Sequence, residues 1–279
     1  MAFGDLNRIN TNLQSLDARF SLDRINKDLG NTQLRLSTGF RINKAEDDSA
    51  GFSISTKLGA RIAGLEQALA NTGDAKSVLD IAEASFNSII DILTTVKQKA
   101  TQAANDTLGS DERGFIQSQV DSLVNELDAL VAQTVFQGRG LLDGNYDATF
   151  QVGERTADTI NVAITSGGGG YTSGDLSVDS LSLTSHASAQ AAIVAADAAL
   201  TSVATAVNQL GIYQTQLSIR EEILTQSINS NNAARSRIRD ADFAREQSES
   251  IKLQILQQTA IAALAQANAA PQSVLGFIG

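Results

Sequence analysis

Residues 65–103 read LEQALANTGDAKSVLDIAEASFNSIIDILTTVKQKATQA. Within them Leu65, Ala68, Thr72, Ala75, Leu79, Ala82, Phe86, Ile89, Leu93, Val96, Ala100 and Ala103 recur at alternating steps of three and four residues without a break. A helix returns residues at that spacing to one face, so the stretch predicts a single long helix with an apolar seam. At 1.5 Å per residue it would be about 58 Å long. Two further stripes have the same character. One runs through Ile116, Val120, Leu123, Leu127 and Leu130. The other uses Ile193, Ala196, Leu200, Val203, Val207, Leu210, Leu217, Leu224 and Ile228 and skips the polar Gln214 and Glu221. Three helices of this kind can shield one another as an antiparallel bundle.

Composition agrees with rods rather than a compact globule. Hydrophobic residues make up 42% of the 279 positions, yet aromatics are only 5% and Trp is absent. The single Pro, at 271, leaves nearly the whole chain free of helix-breaking rings. A net charge of −10 disfavours nucleic acid and anionic lipid as partners. Without cysteine, disulfides and thiolate metal sites are excluded. The first twenty residues have neither an apolar core nor a small-residue cleavage site, so no conventional signal peptide is expected. No run reaches the roughly 18 consecutive apolar residues of a membrane span, and membrane insertion is not expected.

Between the second and third stripes, residues 141–186 are rich in Gly, Ser, Thr and Asp. Thr149–Val152 and Thr159–Ile164 alternate apolar and polar residues and predict a short hairpin. Gly167–Gly170 reads as a flexible loop, and Leu176, Val178, Leu181 and Leu183 could supply another strand.

Both ends are helical again. Leu6, Ile9, Leu13, Leu16 and Phe20 form one stripe, which resumes in a shifted phase at Leu22, Ile25, Leu29 and Leu36 before Gly39 offers a stop. Near the other end Leu253, Leu256, Ala260, Ala263 and Ala267 share a face, with Ile251, Ile255, Ile261 and Leu264 beside it. A terminal helix apolar on several sides must be buried on several sides. The neighbours predicted for it are other copies of the chain.

Two end motifs are specific. The first is Leu34-Arg35-Leu36-Ser37-Thr38-Gly39-Phe40-Arg41-Ile42-Asn43, continuing to Asp47-Asp48-Ser49-Ala50-Gly51. The second is Ala234-Arg235-Ser236-Arg237-Ile238-Arg239-Asp240-Ala241-Asp242-Phe243, with Gln254–Gln258, Leu264–Asn268 and Pro271–Leu275 beyond it. Together with Gln133–Gly138 and Phe150–Gly153, these resemble the bacterial flagellins over most of the chain outside the Gly/Ser-rich insert. Arg239, where many flagellins carry an acidic residue, and the Phe277-Ile278-Gly279 ending depart from the pattern.

The resemblance implies a mainly α fold: an antiparallel long-helix bundle or coiled-coil rod, with paired N- and C-terminal helices and a small β-rich insert. Residues 1–44 and 237–279 would form the inner layer of a filament, 45–145 and 187–236 the rod, and 146–186 an outward insert. Subunit contacts would fall on Leu6, Ile9, Leu13, Leu16, Phe20, Leu29, Leu36, Leu253, Leu256 and Leu264. The motifs add Arg41, Asn43, Arg237, Asp240, Asp242 and Leu275. The implied partners are further copies of the chain, a flagellar type III export apparatus, an export chaperone, the filament cap and hook-associated proteins. No cofactor is implied, and the implied place is an extracellular flagellar filament, with a sheathed or periplasmic filament as the alternatives. A hook–filament junction protein would share such ends, and a secreted coiled-coil adhesin or effector is the alternative from another class.

Chemistry is not visible in the pattern. Asp47-Asp48 and Asp240/Asp242 have no histidine near them and read as helix caps and subunit contacts. Gly167–Gly170 lacks the Gly-Lys-Ser/Thr ending of a phosphate loop. Asn105-Asp106-Thr107 is an isolated sequon match. Aligning Ala104-Asn105 and Gln117 with the family places Thr95, Lys99 and Gln119 on the surface by which many flagellins are detected by a Toll-like receptor. Strongly stimulating flagellins commonly carry arginine, leucine and glutamate there, so weak activation is expected.

Overall fold

A computed structural model describes residues 11–165 and 169–275, with side chains as far as residue 269. The order of elements is α1 (Leu13–Thr38), α2 (Ser49–Ala103), α3 (Ser110–Gln133), β1 (Val135–Phe136), β2 (Arg139–Gly140), β3 (Tyr146–Gln151), β4 (Thr159–Ile164), α4 (His186–Arg239) and α5 (Phe243–Leu275). The chain divides into two compact units, Arg61–Asn229 and the pair Met1–Ala60 with Ser230–Gly279.

In the first of these units the stripe of α2 is the seam of a bundle. All twelve of its residues are buried, and Leu79, Ala82, Phe86, Ile89 and Leu93 are fully so. Thr72, its one polar member, gives its hydroxyl to the Ala68 carbonyl at 2.8 Å and leaves nothing unsatisfied. Cross-links fix the helix directions. Lys97 meets Asp197 at 2.6 Å and Lys76 meets Glu221 at 2.8 Å, so α4 runs antiparallel to α2. Arg113 caps the Ala103 carbonyl at 3.0 Å and Thr134 reaches Ser85 at 3.0 Å, so α3 does as well.

The other two seams lie slightly off their predicted lines. On α3, Val124 and Val131 are buried where Leu123 and Leu130 were expected, and those leucines are half-buried at the flank. On α4 the deepest residues are Ala189, Ala192, Ala196, Ala199, Val203, Ala206, Leu210, Leu217 and Leu224, an unbroken three–four series through its first half. Ile193, Leu200 and Val207 sit one position further round and pack at the edge. Alanines at the centre of the first half of α4 let it approach α2 and α3 closely, and Ala100 and Ala103 of α2 face the same cluster. One window of α4 is apolar enough, by length and composition, to cross a membrane. Its alanine face nonetheless lines this core, and its Asp197 pairs with Lys97.

The insert contains the expected hairpin, with Tyr146 opposite Ile164 and Gln151 opposite Thr159. A smaller one, β1–β2, was not predicted. It turns on Gln137 and Gly138, whose φ of 49° and 79° match the two-residue turn that suits strand twist. The strand expected from Leu176 to Leu183 does not form. Leu176, Val178 and Leu183 are buried in the bundle core as an irregular segment. Side chains take the place of a neighbouring strand: Gln117 of α3 donates to Leu181 O at 2.8 Å and accepts from Leu183 N at 2.7 Å. Asp128 accepts from both the N–H and the hydroxyl of Ser173 at 2.7 Å. Tyr171 meets Phe86 edge to face at 4.7 Å, and burial pushes its hydroxyl up to about 12. Gly167 and Gly168 of the predicted loop lie outside the described residues.

Candidate functional site

The second unit brings the two end motifs together. Gly39 ends α1 in the left-handed conformation, φ 73°, its N–H bonded to Arg35 O. Phe40 then pairs with Asp240 in an antiparallel bridge. Arg239 O accepts from Arg41 N at 2.7 Å and Ile42 N at 3.4 Å, and Gly39 O accepts from Ala241 N at 2.9 Å. The Arg41 guanidinium crosses to Ile238 O at 2.7 Å. Arg239 returns the contact, its guanidinium 4.3 Å above the Phe40 ring.

Around this bridge the remaining motif residues act as caps. Asn43 donates its amide to Phe40 O at 2.8 Å. One oxygen of Asp47 accepts from Asn43 N and Lys44 N, both at 2.9 Å, and the Lys44 bond leads in holding its carboxyl below the ordinary value. Asp48 accepts from Gly51 N at 2.9 Å at the start of α2. Gly51 leaves room there: a Cβ would stand 2.5 Å from the Asp48 carboxylate and 2.7 Å from the buried Ile42, and either side chain would have to shift. Asp242 accepts from Ala244 N and Arg245 N and so opens α5. Arg237 donates to Ala233 O of its own helix, while Asp240 takes part through its backbone with its side chain exposed.

From this junction α1 and α5 run antiparallel and close along their length. Arg35 meets Glu246 at 3.6 Å, Asn26 accepts from Gln257 at 2.6 Å, and Asn12 donates to Ala267 O at 2.7 Å. The contact is thin. Among the described residues its buried side chains are Leu29 and Thr32 of α1 and Ser250, Leu253 and Ala267 of α5.

The phase shift in the N-terminal stripe separates two faces. Leu22, Ile25, Leu29 and Leu36, half-buried or buried, face α5. Leu13, Leu16 and Phe20 lie on the opposite side and are 42%, 53% and 72% exposed. On α5, Leu253 is buried and Leu264 half-buried, whereas Phe243, Ile251, Ile255, Leu256 and Ile261 are exposed around the rest of the helix. Leu6 and Ile9 lie outside the described residues, and Leu275 is described only as the last residue of α5. Thr32, Ser250 and Ile42 escaped sequence reasoning because a polar residue, or an isolated apolar one in a loop, carries no period.

On the other unit, Thr95 and Lys99 of α2 and Gln119 of α3 line one shallow groove with Ser118, Ser122 and Leu123. Thr95 and Lys99 are half-buried and Gln119 is exposed.

Comparison with known proteins decides the family. The model of the bacterial flagellin N-terminal helical region matches residues 9–147, and that of the C-terminal helical region matches residues 193–278. The chain belongs to the bacterial flagellins. A flagellin of Halalkalibacterium halodurans is 35% identical, with 97% of this chain and 99% of the relative aligned. Flagellin FlaB1 of Treponema pallidum and the flagellin of Bacillus subtilis are 33% and 34% identical over the same shares. A solved structure assigned as a flagellar hook-associated protein of Vibrio parahaemolyticus matches with a TM-score of 0.60 over 70% of this chain and 100% of its own. At 14% identity that likeness is one of fold. This flagellin is a structural subunit of the flagellar filament, and the family is one of structural proteins.

Proposed function

We propose that this flagellin polymerises through the faces of α1 and α5 that its own chain leaves uncovered, and that it carries out no catalysis. The observation that carries this reading is the separation of faces on α1. One apolar stripe is used within the chain, and a second, Leu13, Leu16 and Phe20, is exposed on the opposite side. Exposed apolar surface on one helix pair needs a partner, and further copies supply it by repetition. In this reading residues 1–44 and 237–279 form the inner layer, 45–145 and 187–236 the rod, and 146–186 face outward, with the filament extracellular. Phe20→Asp should leave the monomer folded and abolish filaments in electron micrographs. Normal filaments from that variant would sink the reading.

The family resemblance adds export through a flagellar type III apparatus, with an export chaperone, and contacts to the filament cap and hook-associated proteins. Release of the protein into the medium should stop when that export apparatus is inactivated.

A second reading concerns the groove. Thr95, Lys99 and Gln119 share one surface. Relative to arginine, leucine and glutamate, they lack a forked donor, an apolar contact and an anion respectively. Weak activation of the Toll-like receptor by the monomer is the expected outcome. A reporter-cell titration against the triple substitution Thr95→Arg, Lys99→Leu, Gln119→Glu should show a gain, and no gain would count against this reading.

A further inference from the structure

The junction of the two motifs holds more than its backbone bridge requires. Each motif sends an arginine into the other. Arg41 reaches Ile238 O, and Arg239 lies over the Phe40 ring. Arg239 Nε is buried and has no hydrogen-bond partner among the described residues. A buried guanidinium N–H without an acceptor is costly, so a compensating contact must hold the group in place. The ring supplies it, since a cation over an aromatic face is attracted most where water is excluded. The Arg239 carbonyl meanwhile takes the N–H groups of both Arg41 and Ile42, so the residue grips the partner motif with backbone and side chain together.

Register gives this grip a consequence. The paired positions Arg35–Glu246, Asn26–Gln257 and Asn12–Ala267 continue the pairing Phe40–Asp240, with residue numbers along one strand rising as those on the other fall. Closing the junction therefore presents α1 and α5 to each other in the alignment that they use. Among the described residues the helix pair buries only Leu29, Thr32, Ser250, Leu253 and Ala267, so the junction adds to the polar contacts that fix this alignment.

We propose that Arg239 is a positioning residue for assembly: by stacking on Phe40 it preforms the junction in the free subunit and sets the register in which α1 and α5 zip. The proposal rests on polymerisation through the chain ends. It gives a role to the arginine that stands where many flagellins carry an acidic residue.

The test compares the full chain with Arg239→Met, Arg239→Lys, Phe40→Leu and the double variant Arg239→Met/Phe40→Leu. Amide exchange of Arg41, Ile42 and Ala241 in the monomer reads the junction. Met and Leu should each speed it about tenfold, and the double variant should be no worse than either single one. Lysine, which keeps a cation over the ring, should recover part of the protection. The critical concentration for polymerisation should rise in the same order, while melting of the Arg61–Asn229 unit stays unchanged. Exchange in Arg239→Met equal to wild type, additive effects in the double variant, or lysine no better than methionine would each overturn the proposal. Failure of the wild type to polymerise at all would instead overturn assembly through the ends.

Discussion

Asp47 does its work with a single carboxylate oxygen, which accepts from Asn43 N and Lys44 N. Those bonds exist only in the folded turn and favour the charged form, so its folded value lies below the ordinary 3.8. The sign follows from linkage. Stability from a depressed carboxyl is fully present above the unfolded value and is lost as pH falls through the folded one. The turn should therefore hold at neutral pH and open in acid. A carbon-detected NMR titration should place the Asp47 midpoint below 3.8, and a midpoint at or above it would contradict the assignment. Residues of this kind were legible as caps, because Asp before a helix needs only local spacing to be recognised. The Arg239–Phe40 stack was not, since the pairing is fixed by a bridge between positions 40 and 240 that no local pattern announces.

At the scale of elements, α2 was legible residue by residue because a long seam repeats one constraint many times. Where apolar residues stand side by side, as Ala192 and Ile193 or Leu123 and Val124 do, the period fits either line. Packing then chooses between them, and on α4 it places the smaller residue at the centre. The segment from Leu176 to Leu183 misled for a related reason. Alternation reports burial on one side, and here the burying surface is a bundle, with Gln117 satisfying backbone groups of Leu181 and Leu183 that a strand would have paired. Phe86 ties both elements together, since it is fully buried in the seam and meets Tyr171 of the insert. Phe86→Ala should cost about 3–5 kcal/mol in denaturant unfolding. A loss below about 1 kcal/mol would mean that the insert does not pack on α2 in solution.

For the whole molecule, the distribution of charge matters as much as its total. Residues 61–229 carry eight Lys or Arg against twenty Asp or Glu, a net of −12. The two end segments carry thirteen against eleven, a net of +2. Bringing copies together through the ends gathers many acidic rods, and their repulsion falls as salt shortens the screening length to about 10 Å at 0.1 M. The critical concentration for polymerisation should therefore drop as ionic strength rises from about 0.01 to 0.1 M, as read by light scattering. A rise would place ion pairs, rather than apolar faces, at the centre of the interface.

End helices that complete their burial only in the polymer should differ in amide exchange between two states of one sample, before and after assembly. In the monomer, residues 65–103 should exchange slowly and those of α1 and α5 fast, since their shared contact buries so little. In the filament α1 and α5 should slow by orders of magnitude, whereas residues 65–103 change little. Equal protection of the end helices in both states would contradict the account.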